Sequence, residues 1–283
     1  MKLKKLASIA LAATAVASAA AFASCGKDDE TKATLKVVEY TLTDEKYAFA
    51  VAEGNSALKN SADAYLTQIK NDGTFNTIVS KYQENETAKF VGNAKGEGEP
   101  AENALVVITN TPFGNFEYVG DDGKYYGIDM EIAAGLAAYL NQPLYIKEWV
   151  DFDTILNQFG TYPNAIVMSG LSISEDRDKI VDFTQEYFDA GQAIITLSSD
   201  TTFDDCKSVA DVKAKLASLQ NKKVGYQNGN TAGTFLADYK NLSAQGFKTA
   251  VLAAQAVLNG SLDYVVVDSS PAQAIVKQLN AIA

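Results

Sequence analysis

The chain has 283 residues, of which 47% are hydrophobic and 21% are charged, and its formal net charge is -11. This composition supports one large core or two modest ones, and it argues against a disordered chain or a small disulfide-stapled scaffold. An acidic chain binds polyanions poorly, so no nucleic-acid partner is expected, and a sequence without His has no Ser-His-Asp triad, Cys-His dyad or His-ligated metal site.

The N-terminus has the layout of an export signal. Three lysines precede an uncharged, Ala-rich stretch over residues 6–22, and small residues then lead into Cys25. Residues 1–24 resemble a bacterial lipoprotein signal peptide, which predicts that Cys25 carries a lipid, that 25–32 form a tether and that the protein is anchored outside the cytoplasm. An ordinary cleaved signal with a coincidental Cys is the alternative. Removal of the signal would take the net charge from -11 to -14.

The segment that follows contains strands, helices and then a polar stretch. Apolar runs predict strands at 35–42 and 47–51, and helical periodicity predicts helices at 56–70 and 74–82. Residues 84–103 are polar, rich in Gly and without periodicity, so they are predicted to be a flexible linker.

From residue 104 onward, short apolar runs alternate with amphipathic segments. This pattern is typical of an α/β fold with a largely parallel sheet. The series occurs twice, which predicts two lobes, and ligands of such sheets bind at the carboxyl ends of strands. The predicted strands are 104–109, 144–150, 165–168, 193–197, 223–226 and 264–267, and the predicted helices are 128–140, 152–159, 209–219, 231–239, 252–258 and one beginning near Pro271.

Several short sequences, in a fixed order, connect the chain with a known family. They include Phe116-Glu117-Tyr118, the stretch 170–177 that ends at Arg177, and the stretch 263–268 that ends at Asp268. Over residues 105–283 the chain resembles the bacterial extracellular solute-binding proteins that deliver polar amino acids to ABC importers. The resemblance implies the type II periplasmic-binding-protein fold, in which two Rossmann-like lobes are joined by two hinge strands and close on a ligand. It also implies an ABC permease as partner and a monomeric binder.

The order of the segments differs from that family. Relatives continue for some sixty residues after the helix at Pro271, whereas here the sequence before residue 85 resembles that usual C-terminal part. We therefore expect a circular permutation in which 85–103 join the ancestral ends. Lobe 1 would comprise 47–193 and lobe 2 would comprise 33–46 plus 194–283, with hinge strands near 47–49 and 192–195. An unrelated or duplicated N-terminal domain is the alternative.

The residues at the family's ligand positions suit an amino acid. Arg177 is the only Arg beside 23 Lys, and its planar fork can hold a carboxylate through two parallel hydrogen bonds, which Lys cannot reproduce. An ion pair with a neighbouring acid is the alternative for Arg177, and a helix N-cap is the alternative for Asp268. The backbone amides at the predicted helix start near Asn230, with the Thr231 hydroxyl, are expected to hold the same carboxylate. Asp268, at the end of an apolar run, is expected to pair with the ammonium. By resemblance, the backbone carbonyl near Ser169 and Gly170 and the Ser172 hydroxyl also contact the ammonium, and Phe113 and Phe152 sandwich the side chain unless they belong to the core.

The side-chain pocket is expected to be neutral. Asn110 stands where relatives with basic ligands carry an acid, and Gln227 is its neighbour in the pocket. Neutral amides favour a ligand such as glutamine or asparagine over lysine or glutamate. An enzyme of the same fold, such as a cyclohexadienyl-dehydratase-like lyase, is the alternative from another class, and a sensory domain is a third. No catalytic residue, metal site or cofactor is predicted.

Overall fold

The computed structural model describes residues 32–282, so the predicted signal peptide and Cys25 lie outside the described residues. In chain order the strands are β1 (Leu35–Val37), β2 (Glu45–Tyr47), β3 (Ala50–Ala52), β4 (Leu105–Thr109), β5 (Tyr118–Val119), β6 (Tyr125–Tyr126), β7 (Leu144–Glu148), β8 (Ile166–Val167), β9 (Val181–Phe183), β10 (Phe188–Ala190), β11 (Gln192–Leu197), β12 (Lys223–Gln227), β13 (Ser243–Phe247) and β14 (Tyr264–Asp268). The helices are α1 (Ser56–Asn71), α2 (Thr74–Gln83), α3 (Ile128–Tyr139), α4 (Glu175–Asp178), α5 (Val209–Ser218), α6 (Thr231–Leu236), α7 (Ala250–Leu258) and α8 (Ser269–Ile282).

Two five-stranded sheets organise these elements. The first has the order β7-β4-β8-β3-β9 and the second the order β1-β11-β14-β12-β13. We call the first sheet with α1 to α4 lobe 1, and the second with α5 to α8 lobe 2. Both sheets are mixed, because β3 runs antiparallel to β8 and β9, and β11 runs antiparallel to β1 and β14. The prediction of largely parallel sheets therefore holds only for the β7-β4-β8 and β14-β12-β13 parts.

Two short antiparallel strands connect the lobes. β2 pairs with β10, with Tyr47 opposite Phe188, outside both large sheets. The predicted strand at 47–51 is thus two strands in different sheets, β2 and β3. Its continuous burial concealed the break, since the residues from Tyr47 to Val51 are at most 1% exposed and show no alternation. The second crossing lies at β10, a few residues before the predicted 192–195, which belong to β11 in lobe 2.

The first predicted strand is also shorter than expected. Only β1 is regular within 35–42, although Val38 and Leu42 each still donate a backbone hydrogen bond to the β11 strand. Two predicted helices differ as well. Residues Phe152–Gly160 form a 3-10 helix, and α6 ends at Leu236 rather than at 239.

The segment 84–103 is not a free linker but lies along lobe 1. The backbone of Asn93 exchanges two hydrogen bonds with Tyr125, and the N–H of Gly96 donates to the carbonyl oxygen of Ile146 at 3.0 Å. Glycine permits this close approach, since a Cβ on Gly96 would lie 2.5 Å from the Tyr145 ring. The absence of periodicity correctly indicated irregular structure, but it could not reveal these tertiary contacts.

The cores of both lobes are apolar side chains between sheet and helices. β4 and β14 are buried at every position, which explains their uninterrupted apolar sequences. Several helices begin at a polar N-cap residue. The side-chain hydroxyls of Ser208 and Thr249, for example, each accept a hydrogen bond from the backbone N–H three residues later. In residues 32–282, no helix combines the length and apolar character needed to cross a bilayer.

Candidate functional site

A cavity of about 720 Å³ lies between the two lobes, beside the connecting strands. Its wall combines Thr43 and Glu45 from the first connection, residues of the 3-10 helix and α4 from lobe 1, and residues of α6 from lobe 2. A volume of this size is in the range of small-molecule sites. Four of the predicted site residues line it, namely Phe152, Arg177, Asn230 and Thr231.

Arg177 bridges the lobes through its guanidinium group. One terminal nitrogen donates to the carbonyl oxygen of Ser172 at 2.5 Å in lobe 1, and the other donates to that of Gly229 at 2.8 Å in lobe 2. The guanidinium also lies over the Phe152 ring, 5.5 Å from its centroid. Burial lowers the pKa of Arg177, while the charges of Asp268 and Glu45 act in the opposite direction. No carboxylate of residues 32–282 lies within ion-pair distance of this group.

Glu45 is a cavity residue that the sequence reasoning missed. Its carboxylate accepts hydrogen bonds from the hydroxyls of Thr43, Ser172 and Thr231, each at 2.7 Å, and from the amide of Gln192 at 3.2 Å. These donors come from the connection and from both lobes. The available signal was an acidic residue two positions before the predicted hinge at Tyr47.

Asp268 lies at the end of β14, behind the cavity wall, and is 1% exposed. Its Oδ2 accepts a hydrogen bond from the side-chain amide of Asn230 at 2.8 Å, and its Oδ1 has no hydrogen-bond partner in the described residues. Burial raises the pKa of Asp268 to about 6, with a further increase from the charge of Glu45 and a decrease from the Asn230 hydrogen bond.

Asn110, Ser169 and Gln227 form a buried polar chain across the lobes. The Gln227 amide donates to Oδ1 of Asn110 at 3.1 Å, and the Asn110 backbone N–H donates to the Ser169 hydroxyl at 3.0 Å. The Asn110 amide also donates to the carbonyl oxygen of Trp149 at 2.7 Å. These three predicted residues are therefore together, but behind the wall of the cavity rather than on it.

Phe113, Gly170 and Ser172 are predicted site residues that do not line the cavity. Phe113 is 5% exposed and contacts Tyr47 and Phe116, with ring centroids 6.5 and 6.3 Å away. The structure thus places Phe113 in an aromatic cluster and leaves Phe152 as the predicted aromatic on the cavity wall. Ser172 is buried and contacts two cavity residues: its hydroxyl donates to Glu45, and its carbonyl oxygen accepts from Arg177.

Two further buried acids support the Ser169-Gly170 turn, and neither was predicted. Glu117 accepts a hydrogen bond from the Ser169 hydroxyl at 3.0 Å, and Asp129 accepts one from the Gly170 N–H at 2.8 Å. Burial raises the pKa of Glu117 well above its usual range and that of Asp129 to about 7. In the described part of the chain, no group of three or more acidic or Cys side chains is arranged to hold a metal ion.

Several proteins named as amino-acid-binding proteins are similar to this chain in sequence. A probable histidine-binding protein of Neisseria gonorrhoeae is 28% identical over 188 residues, which are 63% of this chain and 65% of that protein. The arginine-binding extracellular protein of Bacillus subtilis is 25% identical over 159 residues, 56% of each chain. The chain thus spans less than two thirds of the length of these relatives.

Solved structures share the architecture. The holo arginine-binding protein of T. maritima is 29% identical with a TM-score of 0.56, covering 63% of this chain and 74% of that one. An ancestral arginine-binding protein bound to glutamine is 32% identical with a TM-score of 0.56, covering 63% and 75%. The α/β fold with two mixed five-stranded sheets is that of the type II periplasmic binding proteins.

The family assignment rests on more than half of the chain. The model of the bacterial extracellular solute-binding proteins, family 3, matches residues 105–281, which contain every predicted ligand-binding residue. This is a family of non-enzymatic binders, and the chain belongs to it.

Proposed function

We propose that this protein is the substrate-binding lipoprotein of an ABC importer, and that it binds a free amino acid in the cavity between its lobes. The observation that carries the proposal is Arg177, which lies on the cavity wall between Ser172 of lobe 1 and Gly229 of lobe 2. A carboxylate held there would contact both lobes and so favour their closure. Localisation outside the cytoplasm, a lipid on Cys25, a permease partner and a monomeric state belong to the same proposal.

A neutral polar ligand, glutamine or asparagine, is the first candidate. The amides of Asn110 and Gln227 meet across the lobes, and neither brings a charge to balance a charged ligand side chain. A relative of this chain has been solved with glutamine bound.

A cationic amino acid is the second candidate, and a specific observation favours it. Glu45 lies on the cavity wall, its four hydrogen-bond donors are neutral, and no cation of residues 32–282 is paired with it. With Asp268 this makes two acids for the single Arg177, so a ligand of net positive charge would balance the site. Two of the similar proteins are named for arginine or histidine.

We also infer that the chain order is circularly permuted relative to these relatives. In support, the family match begins at residue 105, and the preceding segment supplies β1 to lobe 2 and β3 to lobe 1. The sequence predicts 47–193, including the junction 85–103, for lobe 1 and 33–46 plus 194–283 for lobe 2. Because β11 lies in the lobe 2 sheet, we propose 191 rather than 193 as the end of lobe 1.

A thermal-shift screen of the mature protein against the twenty amino acids tests the binding function. The protein is first unfolded and refolded to remove copurified ligand. A ligand at a hundredfold excess over its Kd stabilises the folded state by about 2.7 kcal/mol, and the largest shift identifies the ligand, with glutamine and arginine as the two informative arms. Absence of any shift would contradict amino-acid binding.

Arg177→Lys is the matched variant for this screen. Lysine keeps the charge but cannot donate to Ser172 and Gly229 while also holding a carboxylate with a fork. We expect at least a tenfold loss of affinity, because a hydrogen bond to a charged group contributes about 1.5–3 kcal/mol. The unliganded melting temperature is the control for folding, and unchanged affinity would show that Arg177 does not bind the ligand.

A further inference from the structure

The hydrogen bonds around Glu45 have a fixed direction. A carboxylate can only accept, so the hydroxyls of Ser172 and Thr231, each 2.7 Å from Oε2, must donate their protons to it. A hydroxyl carries one proton, and therefore neither group has a proton left for a ligand. What these two hydroxyls can still offer a ligand is lone pairs.

Gln192 reinforces the same direction from lobe 2. Its amide nitrogen donates to Glu45 at 3.2 Å and to the Thr231 hydroxyl at 3.0 Å, which commits both of its hydrogens. Its Oε1 is buried and has no hydrogen-bond partner in the described residues, and the same is true of Oδ1 of Asp268. Gln192 and Asp268 are directly paired neighbours on β11 and β14.

These unpartnered acceptors indicate, independently of the Glu45 hydrogen bonds, that the ligand group bound here is a hydrogen-bond donor. Buried polar atoms are normally hydrogen-bonded, and an orphaned acceptor costs free energy until a donor reaches it. One buried donor, the Tyr47 hydroxyl, faces Asp268 here, and Thr231 already accepts one hydrogen bond from Gln192. The remaining acceptors of Gln192, Asp268, Ser172 and Thr231 still outnumber that single donor, so this corner of the site has a surplus of acceptors. An ammonium group, with three donors and no acceptor, matches it, whereas a carboxylate does not.

We propose that Glu45 is a positioning residue that fixes the Ser172 and Thr231 hydroxyls as acceptors, so that the site selects ligands carrying an α-ammonium group. The proposal rests on amino-acid binding as the function and adds a specificity determinant to it. It also changes the role expected for Thr231, whose hydroxyl faces the ammonium rather than the carboxylate. Arg177 then holds the carboxylate without the help of these hydroxyls.

The test is discrimination between an amino acid and its des-amino analogue. Calorimetry measures the Kd of L-glutamine and of 4-carbamoylbutanoate, in which hydrogen replaces the ammonium group. If the screen selects arginine, L-arginine and 5-guanidinopentanoate are used instead. Glu45→Gln replaces the carboxylate by an amide that can donate, so the hydroxyls can reverse and offer protons. We expect the preference of the wild type for the amino acid to fall about tenfold or more in this variant.

Two further variants make the result specific. Glu53→Gln removes the same charge at an exposed position of lobe 1 and is expected to keep the wild-type preference. Glu45→Asp keeps the charge but shortens the reach to the hydroxyls, and it decides the question if Glu45→Gln does not fold. A merely structural role of Glu45 would weaken both ligands equally and leave their ratio unchanged.

The outcomes separate the two proposals. An unchanged ratio in the folded Glu45 variants overturns the role of Glu45 and leaves amino-acid binding intact. If the wild type binds neither molecule of either pair nor any other amino acid, the proposed function fails, and the positioning role fails with it.

Discussion

At the scale of single residues, the site is defined by an imbalance of charge. The charge of Arg177 interacts with those of Glu45 and Asp268, and burial disfavours the charged form of Arg177 and of Asp268 alike. A zwitterionic ligand would give each of them a partner of opposite sign. The ligand is thus expected to offset the free energy that the unliganded protein loses by burying these two charges.

The raised pKa of Asp268 predicts that binding depends on pH. Burial and the charge of Glu45 raise its pKa to about 6, while the amides of Asn230 and Gln192 and the Tyr47 hydroxyl act in the opposite direction. The charges of Glu117 and Arg177 also interact with it. Only the ionised form pairs with an ammonium, so affinity should fall about tenfold for each pH unit below about 6. The unliganded protein should behave in the opposite way. A carboxyl whose pKa is higher in the folded than in the unfolded state makes folding less favourable as the pH rises from about 4 to about 6.

Melting temperatures measured with and without ligand from pH 4.5 to 8 check this prediction. The shift caused by the ligand should grow with pH up to about neutrality. Asp268→Asn is the control, since a neutral amide removes this dependence while weakening the binding. A ligand-induced shift that is constant over the range would contradict an ionised Asp268 as the ammonium partner.

At the scale of elements, the turn between β12 and α6 packs directly against lobe 1. Gly229 has φ +77, and a Cβ placed on it would lie 2.4 Å from the backbone Cα of Asp153 in lobe 1. Its carbonyl oxygen accepts the hydrogen bond from Arg177. A side chain at position 229 would therefore clash with lobe 1 and push the two lobes apart.

Gly229→Ala is therefore expected to weaken ligand binding by tenfold or more, because the closed contact with Asp153 cannot form. Gly260→Ala provides the matched control, since Gly260 has nearly the same φ, +75, but nothing within 4 Å of its Cβ position. Both substitutions should lower stability by about 1 kcal/mol through backbone strain, whereas only Gly229→Ala should change the Kd measured by calorimetry. Equal Kd values for the two variants would show that the turn does not limit closure.

The same scale shows how far sequence could predict the structure. β4 and β14 were predictable because each is a short run of apolar residues that ends in one polar residue. The position of Asp268 followed from the end of β14. The split between β2 and β3 was not predictable, because an unbroken run of buried residues has the same sequence pattern whether it forms one strand or two. Glu45 escaped for a related reason: its importance comes from Ser172 and Thr231, which are distant in sequence.

At the scale of the whole molecule, the two ends of the described range 32–282 lie side by side. The backbone N–H of Leu35 donates to Oδ1 of Asn280 at 2.8 Å, and the Asn280 amide donates back to the Leu35 carbonyl oxygen at 2.9 Å. β1 thus starts against the last turns of α8. Residues 97–99 are exposed on the surface of lobe 1. This geometry allows the chain order to be changed without breaking a sheet.

A rearranged chain tests the inferred permutation. Residue 282 is joined to Ala33 by about five Gly and Ser residues, which span roughly 15 Å, and the chain is opened between Glu99 and Pro100. Because no strand of either sheet is cut, we expect cooperative unfolding and a Kd within about threefold of that of the mature protein. The same closure combined with an opening between Asp268 and Ser269 is the control, and it should fail to bind because it separates β14 from α8 at the site. Loss of folding in the first rearrangement, rather than the second, would mean that the present order is required and would contradict the permutation.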